Sequence, residues 1–261
     1  MTKAAVRRAI ARLAPPQSVT DGIRVLLYHA VDAPDSDDRL SLRVSREDFH
    51  AQMTWLRERE YSVVPLRELL HATSREERPR VALTFDDGYH SLTGAFDILR
   101  DFGFPATIFV VPRFIDGVRT PAAYWEGWGH LDWDDLGRLV ESWAEVGAHS
   151  MTHPDLRGCD DQQLEEEVAG AKALLERRLG REVESFSYPY GRYDERVRRA
   201  VERAGYRLAC TGRHGVNLGS GPSYLVRRTE VMGIDDLQHF QFKLQGKYDW
   251  LRYWQSLRED R

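Results

Sequence analysis

Cysteine is nearly absent from this chain, with Cys159 and Cys210 as its only two. Two thiols without CxxC spacing cannot form a disulfide framework, and they fit a reducing compartment. Long apolar runs are missing too. No stretch approaches the ~20 residues of a membrane span. The N-terminal MTKAAVRRAIARLAPP is interrupted by Arg7, Arg8 and Arg12 before it can form a signal-peptide core, so a cytoplasmic location is expected. Basic excess is also lacking: 37 Lys and Arg against 41 Asp and Glu leave a net charge of -4, and no nucleic-acid partner is expected. No GxGxxG or GxxxxGK[ST] loop follows a predicted strand, which argues against a dinucleotide or nucleotide site.

What remains is ample core material in 261 residues, 42% of them apolar, enough for one large α/β domain. Residues 1–20 read as a basic segment and residues 21–261 as the domain. In the first segment Ala5, Ile10 and Leu13 oppose Lys3, Arg7, Arg8 and Arg12 on a helix, a pattern suited to peripheral contact with an anionic membrane surface.

Apolar patterning alternates between strands and helices along most of the domain. Strands are expected at Ile23–Tyr28, Tyr61–Val64, Val81–Phe85, Ala106–Val111, Gly147–Ser150, Ser185–Tyr188, Arg207–Thr211 and Tyr224–Val231. Helices are expected after Ser45, over Ser91–Phe102, Asp160–Leu179 and Asp194–Ala204, and after Asp235. Alternation of this kind gives a parallel sheet, closed as a barrel or open and doubly wound. In a barrel, chemistry gathers where strands end. His29, Asp86, Asp87, His149 and the Pro189 segment all fall there.

Val81–Tyr89, VALTFDDGY, runs from a buried strand straight into two acids and a glycine. Adjacent carboxylates can divide their labour, one holding a metal and the other moving a proton, when their environments differ. Ala148–Leu156, AHSMTHPDL, places His149 and His153 four residues apart, the step that puts two side chains on one face of a helical turn. Pro154 disfavours the α region at His153, so a short, irregular turn is expected. Two imidazoles and a carboxylate suit an open zinc-type site.

TFDDG and HSMTH, with LLYH from Leu26 and FSYPYG from Phe186, resemble the NodB-like polysaccharide deacetylases, carbohydrate esterases that remove N-acetyl groups from amino sugars. The resemblance spans most of the chain and implies a distorted (β/α)7 barrel. It implies Asp86 as catalytic base, Asp87, His149 and His153 as ligands of a divalent ion (zinc first, cobalt or nickel as alternatives), and the Tyr190 main-chain N–H as a donor to the developing oxyanion. An N-acetylated amino sugar would be the substrate.

Two departures stand out. The arginine that steadies the base is replaced by Ser187, and the late LxxH histidine that protonates the leaving amine is replaced by Leu225-Val226-Arg227-Arg228. Arg227 or Arg228 is expected to reach inward to Asp86, with Arg227 taken first, and His29 to serve as acid, His214 being a weaker option. Trp125, within the aromatic stretch Tyr124–Trp133, is expected to meet the sugar. A silent glycan-binding module and a hydrolase of a non-sugar amide are the rival readings. Without an export signal, an intracellular and lipid-linked precursor is the economical substrate.

Overall fold

The computed structural model describes residues 13, 21–33, 38, 40–71, 77–117, 128–142 and 144–251. Apart from Leu13, the basic segment 1–20 lies outside them. Eight strands form one sheet: β1 (Ile23–Tyr28), β2 (Arg80–Phe85), β3 (Thr107–Val110), β4 (Glu145–Ala148), β5 (Ser185–Ser187), β6 (Leu208–Cys210), β7 (Ser223–Val226) and β8 (Arg228–Glu230). Their order is β7-β6-β5-β4-β3-β2-β1-β8, and neighbours are parallel throughout. Ser62–Val63 adds a short strand beside β2, while Ala30–Val31 and Arg43–Val44 pair separately.

The two edge strands, β7 and β8, are separated in the chain by Arg227 alone. They are in effect one strand that leaves β6 and joins β1. The Thr211 N–H donates to the Val226 carbonyl on one side (2.9 Å), and the Val231 N–H donates to the Leu27 carbonyl on the other (2.8 Å). The sheet thereby closes into the expected seven-stranded barrel, and few strand N–H groups are left for an open edge.

Side chains alternate in and out along each strand. Ile23, Val25, Ala82, Phe109, Leu208, Cys210 and Val226 meet inside the barrel, floored by the 3₁₀ turn Leu66–Leu70. Leu26, Tyr28, Val81, Leu83, Phe85, Val146 and Phe186 face outward, against the helices. Among those helices are α1 (Arg46–Glu58), α2 (Leu92–Phe102) and α3 (Trp133–Ser142). A long helix follows in three stretches, α4 (Asp161–Glu165), a π turn (Glu166–Gly170) and α5 (Ala171–Leu179). Then come α6 (Glu195–Arg203) and α7 (Leu237–Leu244). Ser45 caps α1 by accepting the Asp48 N–H at 3.0 Å, and Asp160 with Gln163 forms a reciprocal capping box on α4. The last helix is capped by Asp236, not by Asp235. Asp235 is instead buried, paired with Lys243 and accepting the Met232 N–H.

Gly147 shows how tightly the interior is filled. A Cβ there would stand 2.4 Å from two ring carbons of Phe109 and 2.6 Å from Ser185 Oγ, and the Phe109 ring is fully enclosed. Gly147→Ala should therefore destabilise the protein by about 1–3 kcal/mol, the usual result of overpacking, read as a lower urea midpoint with an unchanged slope.

Candidate active site

Alternation carries a polar layer onto the apolar interior. Ala82 and Thr84 face in, so Asp86, two residues on, does as well. Gly147 leads to His149, Ser185 to Ser187, and Val226 to Arg228 by the same step of two. The strand pairing extends to this rim, with the Asp86 N–H donating to the Tyr28 carbonyl at 2.9 Å and the His149 N–H to the Val110 carbonyl at 2.8 Å.

Asp86 and Arg228 form a buried bidentate pair. Arg228 Nη1 lies 2.7 Å from Asp86 Oδ1, and Nη2 lies 2.8 Å from Oδ2. Ser187 Oγ accepts from Arg228 Nη2 at 2.8 Å and donates to Asp86 Oδ2 at 3.0 Å. The guanidinium also donates from Nε to the Thr211 carbonyl and stands over the Phe109 ring. Burial alone would raise the Asp86 pKa. The charge and hydrogen bonds of Arg228, with smaller pulls from His149 and His29, outweigh it and hold the carboxyl well below the ordinary range.

The structure thus separates the two arginines offered for this place. Arg228 turns inward, while Arg227 is exposed and lines a separate surface depression with Leu225 and Asn217. The expectation placed on Arg227 fails because odd and even positions of one strand face opposite ways. Val226, an apolar neighbour of Arg227, carried the information: if it faces the core, Arg228 does too.

Asp87 and Gly88 follow the strand with φ of 69° and 66°, and this left-handed step turns Asp87 away from the Asp86 side. Gly88 has little alternative, since a Cβ would come within 3.0 Å of Val110 Cγ1. The histidine loop is the short, irregular turn expected from Pro154. Ser150 and His153 take φ of 60° and 64°, conformations that cost a non-glycine residue about 1–3 kcal/mol each. Pro154 closes the α region at His153, and the reversal is made with left-handed residues instead.

His149 Nδ1 lies 2.7 Å from the Ser187 carbonyl. A carbonyl only accepts, so Nδ1 carries the proton and Nε2 presents its lone pair. That Nε2 stands 3.1 Å from His153 Nε2 and 3.6 Å from Asp87 Oδ1, with His153 Nε2 3.5 Å from the same oxygen. Ligands about 2 Å from a common tetrahedral centre would be roughly 3.3 Å apart. Among the described residues these three side chains are the group whose donor atoms all lie within 4.8 Å of one another. Burial pushes both imidazole pKa values down to about 4 against the opposing pull of Asp86, so both are neutral at pH 7. The trio therefore fits a divalent cation.

Several side chains around the trio escaped the sequence reading. The buried Tyr89 hydroxyl is hydrogen-bonded to Asp87, and burial together with that carboxylate keeps it protonated. Leu27, Leu40, Phe114 and Glu230 line the cleft above the polar layer with His29 and Tyr190. Tyr190 (φ 59°) sets its ring 4.7 Å from that of His153, and its hydroxyl donates to the His153 carbonyl at 3.3 Å. His29 is in the cleft as expected. His214 is buried and is not among the residues lining it. Trp128 packs on Tyr89, and Trp133 donates to Asp116, so both have structural places. Trp125 lies outside the described residues.

Neutral, buried histidines give metal-free protein a definite pH dependence. Unfolded histidine titrates near pH 6.5 and these two near 4, so the unfolded chain binds more protons between those values. Stability is full above about pH 6.5 and falls as the pH drops toward 4. Melts in chelator should show Tm declining over that window, and declining less steeply in His153→Gln.

Comparison with known proteins agrees with this geometry. The family model described as Polysaccharide deacetylase matches residues 73–209, more than half the chain. The Bacillus subtilis (strain 168) protein YxkH is 28% identical over 211 residues, covering 79% of this chain and 70% of its own. The chitooligosaccharide deacetylase of Rhizobium leguminosarum bv. phaseoli is 30% identical over 135 residues, about half of each chain (49% of this one, 51% of its own). Among solved structures, BC0361, a polysaccharide deacetylase from Bacillus cereus, superposes with a TM-score of 0.72 at 26% identity, covering 86% of this chain and 69% of that one. Barrel, motif order and matched model converge, and the chain belongs to the polysaccharide deacetylase family.

Proposed function

We propose that this chain is a metal-dependent N-deacetylase that hydrolyses the acetamide of an amino sugar in a glycan, glycolipid or glycoside, releasing acetate. The observation that carries the reading is the pairing, at one barrel mouth, of an ionised buried carboxylate with three converging metal donors. Asp87, His149 and His153 would hold the ion, zinc in the first place. When bound, it would supply Lewis acidity, making water acidic enough for a weak base to deprotonate and polarising the acetyl carbonyl.

Asp86 would then take the proton, its carboxylate coming within 3.8 Å of His149 Nε2. Arg228 keeps that carboxylate charged and fixed in rotamer, and Ser187 leaves room for the guanidinium where a longer side chain would collide with it. The main-chain N–H of Tyr190 serves the developing oxyanion. His29, across the cleft, returns a proton to the leaving amine. Leu40, Leu42 and Phe114 give the acetyl methyl an apolar surround. The relative named for chitooligosaccharides supports an N-acetylated sugar over another amide. The absent late histidine favours a silent binding module as the second reading.

Release of acetate from N-acetylated chitooligosaccharides with added zinc or cobalt separates these readings. Asp86→Asn should lower turnover by roughly 10²- to 10⁴-fold with metal content retained, whereas His149→Ala should lose the metal. Unchanged turnover in Asp86→Asn would remove it as base. For the arginines, Arg227→Ala should stay within about 0.5 kcal/mol of the parent and keep its activity. Arg228→Ala, which strands a buried carboxylate, should cost about 3–5 kcal/mol in denaturant titration and abolish turnover.

A further inference from the structure

The loop bearing the two histidines is held from behind by a residue outside the cleft. Glu167 lies in the π turn Glu166–Gly170. Its Oε2 accepts the backbone N–H groups of Met151 and Thr152, each at 2.9 Å, and its Oε1 accepts the Thr152 hydroxyl at 2.5 Å. The next N–H, that of His153, is accepted by Ser150 Oγ at 2.9 Å. Three consecutive amides thus meet side-chain oxygens, and a single carboxylate takes two of them.

This matters because the loop is not relaxed. Two non-glycine residues within four positions are left-handed, an arrangement that persists only when its surroundings over-determine it. The Ser150 contact lies within the loop and moves with it. Glu167 instead ties the loop to a separate element, anchored in the core by Leu164, Val168, Ala171 and Leu175. An ionised carboxylate suits the task, since it only accepts, offers two oxygens and makes charge-assisted bonds. The tie is made at a π turn, a feature that recurs at functional sites.

We propose that Glu167 is a positioning residue for the metal centre: its carboxylate, bonded to the amides of Met151 and Thr152, holds the left-handed loop that aims His149 and His153 at Asp87. The inference rests on reading that trio as a metal centre. Supporting groups of this kind typically change metal affinity 10- to 100-fold when removed.

The test is titration of the chelator-stripped full chain with Co²⁺, reading affinity by competition with a chromophoric chelator and ligand geometry from the visible absorption band. Glu167→Ala should raise the Co²⁺ dissociation constant about 10- to 100-fold and alter the band. Glu167→Gln, which keeps one acceptor oxygen but no charge, should fall between it and the parent. If Glu167→Ala does not fold, Glu167→Gln decides alone. Parental affinity with an unchanged band in the variants that fold overturns the inference. Failure of the parent chain itself to bind Co²⁺ overturns the reading of the trio instead.

Discussion

The ion pair between Asp86 and Arg228 is the contact on which the mouth of the barrel depends. Two opposite charges withdrawn from water must satisfy one another almost completely, because either one alone would be a severe burden in that environment. Here the satisfaction is thorough. Both carboxylate oxygens are engaged, and the guanidinium has further acceptors in Ser187 and Thr211. The pair joins β2 to β8, and the Ser187 hydroxyl extends it to β5. His149 in turn donates to the Ser187 carbonyl, so the carboxylate of the proposed base and a proposed metal ligand share one scaffold residue.

The two neighbouring acids are made unequal by backbone geometry. Asp86 inherits the inward direction of its strand and meets a cation of the protein's own. Asp87, one residue later, passes into the left-handed region and meets the Tyr89 hydroxyl and two neutral imidazoles. A carboxylate bound to an arginine is a fixed anion. One that faces neutral donors has charge to offer an external ion. The difference in surroundings between these adjacent acids therefore goes with the left-handed φ at Asp87.

Much of this was legible in the sequence. Most strand and helix spans follow from apolar periodicity, although the strand expected at Gly147–Ser150 runs earlier, over Glu145–Ala148, and the candidate site follows from two short motifs whose chemistry is complementary. What the sequence withheld has specific causes. The motif narrows the inward arginine to positions 227 and 228, and only the inward direction of buried Val226 decides for Arg228. At the histidines the four-residue step and Pro154 together indicate a short, irregular turn, but not that Ser150 and His153 would take left-handed φ. Tyr89 and Ser187 sat inside the recognised motifs, yet nothing in one sequence distinguishes a tyrosine that supports a ligand from one that fills space. Glu167 lies in an ordinary-looking run of charged helix residues, and only its contacts single it out.

The handover of the final strand from β6 to β1 also orders events in time. Asp86 precedes its partner by 142 residues, so a chain growing on the ribosome carries Asp86, Asp87, His149 and His153 well before Arg228 emerges. Until then the carboxylate has no cation of its own, and the barrel has an open seam between β6 and β1. The last strand therefore acts as both clasp and licence: the step that seals the sheet is also the step that neutralises the charge at its centre, and a nascent chain cannot assemble the finished site before the architecture around it is complete.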